Sequence, residues 1–480
     1  MSTRYLGVLV SALAAGAIAM IACGSDGGNS GFEDGTYSSG GGSDDAAAGS
    51  SSGFGGSDAK SPTPCTGLQC QQVACGGGSE TTVTGTVFAP NGKLPLYNAI
   101  VYVPNAPVKP LPKGVQCDKC GAVSGDPVVS AISGPDGKFT LKNVPVGKGI
   151  PLVIQIGKWR RQVTLPEVKQ CQDNAVVDPE LTRLPKNQSE GNMPHIALTT
   201  GGCDNLGCML PKVGIDPAEF GKEADGDAKA VHVFKGGSYI GSGDVADGPT
   251  GAPGASSFWN DVNRMKNYDL LVLSCECSES PTTKAAPAYA AMTEYLKAGG
   301  RIFTTDFMYT WYKFSPDPQL KSIGTIPGGA PGGANPMDLD KSFPKGQALN
   351  DWLQVAFPTA TPGKVQADYV FDNISALDAT KTQKWAASGP PNHPRVFTVN
   401  LPVELPADQQ CGKGVHIDAH VNQPTLGSTD PTKDAVNASY PNSCPTPLKP
   451  AEGMFAFFFF DLASCIQKDN QPPAPPPVVK

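Results

Sequence analysis

Hydrophobic and polar positions change period twice between Tyr268 and Trp311. Leu270 to Leu273 is a short, continuously apolar run, too brief for a helix, and predicts a strand buried on both faces. Tyr289, Met292 and Leu296 then recur on one helical face, and Gly299-Gly300 supplies a residue able to end that helix in a left-handed conformation. Arg301 to Thr305 returns as a second strand. Strand, helix and strand with short joints make a βαβ unit, whose crossover is right-handed and whose polar loops collect at the carboxyl ends of the strands. Any site is therefore expected near Ser274 to Ser280 and Asp306 to Trp311.

Upstream the period is two. Val83, Gly85, Val87 and Ala89 alternate on one face before a turn at Asn91-Gly92, and a second strand covers Ala99 to Val103. Pro135-Asp136-Gly137 is a tight turn ahead of the strand Lys138 to Leu141, and a hairpin closes about Gly157-Lys158. Many short strands with regular turns predict a β-sandwich. The run G-T-V-x-x-P-N-G-x-x-P-L-x-N-A-x-V-Y-V-P, followed by G-P-D-G-x-F-x-L-x-N-V-P-x-G, resembles the carboxypeptidase regulatory-like, transthyretin-like domain over residues 81–184. The resemblance implies a small sandwich of the kind attached to zinc carboxypeptidases and to many bacterial surface proteins. A zinc carboxypeptidase would also need an H-x-x-E helix. None of His195, His232, His393, His416 and His420 has Glu three residues on, so the sandwich is expected to be an accessory module.

Further along, Val231 to Phe234 predicts a strand and Ser256 to Met265 a helix. Between them Gly241-Ser242-Gly243-Asp244-Val245-Ala246 matches a dinucleotide fingerprint, but the Gly/Pro-rich run after it cannot open the helix that fingerprint needs, and a plain loop is expected. Residues 315–362 are rich in Gly and Pro, as lids and binding loops often are, with one helix at Lys345 to Val355. Strands are expected at V-F-T-V and at G-K-G-V-H-I-D-A-H. A buried helix starts at Pro450 with Glu452 in its first turn, and the tail Q-P-P-A-P-P-P reads as extended polyproline. The order of strand, Y-D-L-L-V-L, helix, A-G-G-R-I-F-T-T-D and a late strand ending in His is similar to the class I glutamine amidotransferase-like fold over residues 229–466. That resemblance implies a cysteine nucleophile in G-x-C-x-G at the elbow after the second strand of the βαβ unit. Thr304-Thr305-Asp306-Phe307-Met308 stands there instead, and no neighbouring Ser or Cys is expected to replace it. The family's histidine would fall at His420, with Asn422 where its carboxylate would stand. Without a thiol to activate and an acid to hold the imidazole, acyl transfer has no basis.

Composition sharpens this picture in three ways. Over 480 residues, 39% hydrophobic and 17% charged, with 56 Gly and 46 Pro, the chain is expected to build two compact cores amid much turn and linker. A net charge of −7 without a dense basic block excludes a nucleic-acid partner, and Trp159-Arg160-Arg161 reads as a solvated rim. Arg4, the apolar stretch Leu6 to Ile21 and Met20-Ile21-Ala22-Cys23 resemble a bacterial lipoprotein signal peptide, which implies cleavage before Cys23 and lipidation of its thiol and amine. A plain membrane anchor is the other reading, though the run is short for one. Gly24 after the cysteine points, by analogy with enteric sorting, to the outer membrane, and the Gly/Ser/Ala/Asp segment that follows is a flexible tether.

Setting Cys23 aside leaves 13 of the 14 cysteines, so disulfides are the default in an oxidising compartment and one thiol is left over or pairs between chains. Cys203 and Cys208 could close a small loop; Cys275 and Cys277 are expected in disulfides to Cys411, Cys444 or Cys465; Cys117-x-x-Cys120 could be half of a zinc site. His416, Asp418 and His420 alternate along an expected strand, with Asp306 able to approach from its neighbour. Two imidazoles and two carboxylates could hold a divalent metal or do acid–base work, and could equally be a hydrogen-bonded buried His416, a capping Asp418 and a relic His420.

The expected organisation is a signal peptide at 1–22, a tether at 23–63, a Cys-rich collar at 64–80, a sandwich at 81–184, a linker at 185–228, a three-layer, flavodoxin-like α/β domain at 229–466 and a Pro-rich tail at 467–480. The expected role is non-catalytic binding of saccharide or protein at the envelope, with Tyr309, Trp311 and Tyr312 as binding candidates and the membrane as partner through the lipid. The alternative is an exported metal-dependent or acid–base hydrolase using Asp306, His416, Asp418 and His420, and a divalent metal is the one cofactor considered.

Overall fold

Alternation in the first third of the chain builds two small sheets. Strands β1 (Thr82–Thr86), β2 (Ile100–Pro104), β3 (Pro127–Ile132), β4 (Lys138–Lys142), β5 (Gly147–Ile156), β6 (Trp159–Val168) and β7 (Asp173–Val176) precede the single turn α1 (Pro179–Thr182). One sheet has the order β4-β1-β7 and the other β3-β2-β5-β6. Val83 and Leu141 from the first share an apolar cluster with Val101, Leu152 and Ile154 from the second, as two sheets packed face to face require. Asn91 closes its turn by accepting from the Lys93 and Leu94 amides, with Gly92 at φ +68°. The collar is fastened by Cys65–Cys70 and by Cys75–Cys171, which ties it to the end of β6.

The computed structural model describes residues 65–117, 123–204, 206–236, 249, 251–281, 283–329, 332–421 and 447–479. The signal peptide, Cys23, the tether, Cys120 and the Gly241–Ala246 loop lie outside the described residues. Among the described residues no helix is long and apolar enough to cross a membrane.

Beyond the sandwich come β8 (Ile196–Thr199), α2 (Leu206–Lys212), β9 (Phe220–Gly221), β10 (Val231–Phe234), α3 (Ala255–Trp259), α4 (Val262–Met265), β11 (Leu270–Leu273), α5 (Ala286–Lys297) and β12 (Arg301–Thr305). They are followed by α6 (Thr310–Lys313), α7 (Pro318–Lys321), β13 (Gly324–Thr325), β14 (Met337–Leu339), α8 (Pro344–Ala356), β15 (Lys364–Val365), β16 (Tyr369–Val370) and β17 (Ala376–Leu377). The chain then forms β18 (Thr382–Ser388), β19 (His393–Leu401), β20 (Gly412–Ile417), β21 (Ala419–His420) and α9 (Pro450–Ala463). Ten strands form one mixed sheet in the order β15-β14-β18-β19-β20-β12-β11-β8-β10-β9. Its middle, β10-β8-β11-β12-β20, is parallel throughout, while β19, β18, β14 and β15 extend it antiparallel. Setting the two-residue edge β9 aside, the parallel strands run 2-1-3-4-5 in chain order.

Within β11, Leu270 and Val272 join the apolar cluster shared with α9, whereas Leu271 and Leu273 join the cluster of α3, α5 and α6. Both faces are apolar because helices cover both. The expected single helix at 256–265 is broken into α3 and α4, because Asp261 accepts from the Asn263 and Arg264 amides and starts a new helix. The Gly/Pro-rich stretch 315–362, expected as a lid or binding loop with one helix, supplies α7, β13, β14 and all of α8.

Three expectations need correction. The segment 185–228 is not a linker, since its β8 lies between β10 and β11 and is fully buried. A strand covered on both faces shows no alternation, and four residues beside Pro194 and Gly201-Gly202 carry too short a signal to stand out. Two separate cores do not form either, and residues 64–480 make one compact unit. Phe457, Phe458, Phe459 and Phe460 make α9 apolar on every side, so it is buried between the two parts. Phe457 stacks on Tyr97 and Phe459 packs edge-on to Trp159 from the sandwich, while Phe455 meets Phe303 and Phe458 meets Trp385 from the large sheet.

The tail is not a free extension. Asp469 is buried against Lys413 and Lys345, 2.7 and 3.0 Å away, and both lysines also reach Asp461 of α9 at 2.7 Å. Ser130 donates to the Pro476 carbonyl, and the Val479 amide donates to Pro127.

Candidate functional site

The carboxyl ends of β8, β11, β12 and β20 bring Asp204, Cys275, Asp306 and the Asp418–His420 segment to one place, at the point where the connections leaving β8 and β11 diverge. Such a switch point is where open α/β sheets place their ligands. Asp306 ends β12 with φ +36°, a left-handed conformation that costs a non-glycine residue about 1–3 kcal/mol and aims its side chain inward. The Cys275 thiol donates to Asp306 Oδ2 at 3.2 Å, and His420 Nε2 lies 3.1 Å from the same oxygen. Asn373 donates from Nδ2 to Asp306 Oδ1 and to Asp418 Oδ1, each at 2.7 Å, and from its backbone to Asp418 Oδ2 at 2.9 Å. Asp204 accepts from the Cys275 amide at 2.9 Å and from Thr305 Oγ1 at 2.5 Å. Every one of these side chains is at most 1% exposed.

The Cys203–Cys277 disulfide brackets the two loops that carry Asp204 and Cys275. Among the described residues it leaves Cys275 as the free thiol. Neither Cys203–Cys208 nor the expected pairings of Cys275 and Cys277 forms; Cys208 and Cys465 are both disulfide-bonded, and Cys275 is free and buried. Cys117 pairs with Cys411 and is therefore no zinc ligand.

The expectation that no thiol stands near the elbow is overturned, because Cys275 arrives from β11. Its setting nevertheless inverts the logic of a catalytic triad. There the imidazole sits between nucleophile and acid and takes the nucleophile's proton. Here the carboxylate sits between thiol and imidazole. Burial, Asp306 and Asp204 push the Cys275 thiol well above its ordinary range, so sulfur keeps its proton. Burial also raises Asp204 to about 6 and, helped by Asp306, Asp418 to about 7. For His420 burial opposes the charged form, but Asp306, Asp204 and Asp418 outweigh it and raise its pKa.

Of the residues expected from sequence, Asp306 and Asp418 are joined through Asn373 and His420 meets Asp306, while His416 stands further off. It packs against Tyr309, Tyr312 and Phe397 and lies 3.9 Å from Asp418. Thr304 Oγ1 donates to the Val415 carbonyl, so His416 Nδ1 must donate to Thr304, and burial lowers its pKa to about 3. The strand itself stops at Ile417, and β21 pairs with β16 instead. Tyr309, Trp311 and Tyr312 are no exposed platform; they are buried, with Trp311 against Trp259 and Tyr289. Sequence reasoning considered Cys275 as part of a polar strand end in the cleft but favoured a disulfide for it, and missed Asp204 and Asn373 as members. The odd cysteine count and the position of Cys275 just past β11 were the available signals for the first; nothing local marks the other two.

No family model matches this chain, and no curated protein matches it. Two solved chains from crystal structures of a type II cohesin–X-dockerin complex of Acetivibrio cellulolyticus, an N-terminal and a C-terminal interface mutant, align at 13% and 14% identity over 32% of this chain and 88% of theirs. The TM-scores are 0.17 and 0.15, too low to carry an argument.

Proposed function

We propose that this chain is an exported, lipid-anchored protein of the bacterial envelope whose folded body has a non-catalytic binding or structural role toward a saccharide or protein at the cell surface. In this reading the body is a transthyretin-like sandwich fused to a flavodoxin-like, amidotransferase-like α/β domain. Sheets of three and four strands support the first part, and the 2-1-3-4-5 strand order supports the second. One observation carries the non-catalytic part: at the elbow of β12 a carboxylate separates the thiol from the imidazole and keeps the sulfur protonated. The hydrolase alternative needs four side chains to converge, and His416 has its Nδ1 committed to Thr304 and its Nε2 no nearer than 3.9 Å to Asp418. Of the aromatic side chains from Phe307 to Phe314, Phe307 and Phe314 are the ones that reach solvent, and Phe314 is 38% exposed.

Anchoring is tested by growing a Gram-negative host that produces the full chain with radiolabelled palmitate. The wild type is expected to take up label and sediment with membranes, and Cys23→Ser to do neither. A wild type that stays unlabelled and soluble would contradict the anchored reading.

A further inference from the structure

We propose that Cys275, Asp306 and His420 form a binding site for a divalent cation of the zinc class. Their three ligand atoms lie within 4.8 Å of one another, and all three residues are buried. Bonds of about 2.3 Å to sulfur and about 2.0 Å to nitrogen or oxygen place tetrahedral ligand atoms about 3.3–3.6 Å apart. Asp306 Oδ2 already stands 3.2 Å from the sulfur and 3.1 Å from His420 Nε2, close to that spacing.

An independent observation comes from the imidazole. His420 is 1% exposed, and its Nδ1 has no hydrogen-bond partner while Nε2 faces Asp306 Oδ2. A buried polar group left without a partner costs about 1–3 kcal/mol, and a metal bond is the kind of partner that would remove the cost. One thiolate, one imidazole and one carboxylate form the mixed soft and borderline set that zinc takes. The surrounding polar groups already hold the ligands in place. Asn373 fixes Asp306 through Oδ1 and leaves Oδ2 for the ion, and Asp204 fixes the Cys275 backbone. Charge agrees as well. Asp204, Asp306 and Asp418 gather around one imidazole and Arg395, which is itself shared with Asp372, and a dication would offset the excess. Binding exchanges the thiol proton, together with the second ring proton wherever His420 is an imidazolium, for the metal, and these protons leave to solvent. All three ligands belong to the folded body, so the proposal does not depend on the envelope role.

The test loads the purified mature chain with cobalt(II) and then with zinc(II). About one cobalt per chain with a thiolate-to-metal charge-transfer band is expected, the band being displaced by zinc and absent from Cys275→Ser. X-ray absorption on the zinc-loaded wild type, which needs no variant, should show one sulfur neighbour at about 2.3 Å beside nitrogen and oxygen. A wild type without the band, a band that persists in Cys275→Ser, or a zinc shell lacking sulfur would overturn the proposal. Ester or peptide hydrolysis by the loaded chain would count for the metal and against the non-catalytic role.

Discussion

Lys413→Met is expected to lower the unfolding free energy by about 3–5 kcal/mol, the cost of leaving a buried charge without its partner. Lys413 of β20 and Lys345 of α8 share Asp461 of α9 and Asp469 of the tail, all four buried, and Thr398 completes the set with a hydrogen bond to Asp469 of 2.6 Å. Two cations and two anions balance. Removing one cation leaves an extra buried negative charge. Adding Asp469→Asn to Lys413→Met restores neutrality and should recover much of the loss in urea unfolding followed by tryptophan fluorescence. A loss below about 1 kcal/mol in the single variant, the scale of exposed ion pairs, would show that the four groups are not buried together.

The same quartet sets the acid limit. Burial alone would raise the Asp461 and Asp469 carboxyls, but the two ammonium groups outweigh it and hold both below the ordinary range. Their contribution is therefore complete above the unfolded carboxyl value of about 3.9 and is lost as pH falls below it, because the unfolded chain takes up protons first. Unfolding midpoints should drop as pH falls below about 4, and Lys413→Met should flatten that dependence.

Trp352→Ala should cost about 3–5 kcal/mol, and both parts of the body should pay it in a single transition. Trp352 of α8 is 1% exposed, packs on Phe357 and Phe457, and donates its indole N–H to the Pro95 carbonyl of the sandwich at 2.8 Å. Because α9 serves both parts, loss at this contact cannot be confined to one. Calorimetry of the variant is expected to show one endotherm moved to lower temperature. Two resolved endotherms, with only the second displaced, would mean that sandwich and large sheet melt separately.

Local pattern made much of this fold legible. β11, α5 and β12 fall where their periods place them, α9 starts at the expected Pro450, and Gly299 ends the α5 turn with φ +112°. What was not legible depends on pairing between distant segments. β8 is four buried residues in a polar stretch, and only its neighbours β10 and β11 make it a central strand. The cysteine count announced a leftover thiol, but that Cys275 is free among the described residues rests on pairings such as Cys203 with Cys277 across 74 residues. Asp306 and His420 were legible as candidates because strand ends concentrate chemistry, whereas the carboxylate's place between sulfur and imidazole is a matter of ångströms that no spacing records.

Alkylation of Cys275 tests that arrangement most directly. Folded protein exposed to iodoacetamide at neutral pH and then mapped by peptide mass spectrometry should carry no label on Cys275, and full label should appear once the chain is unfolded in urea. Rapid modification of Cys275 in the folded chain would reveal an accessible, activated thiolate beside His420 and contradict the account.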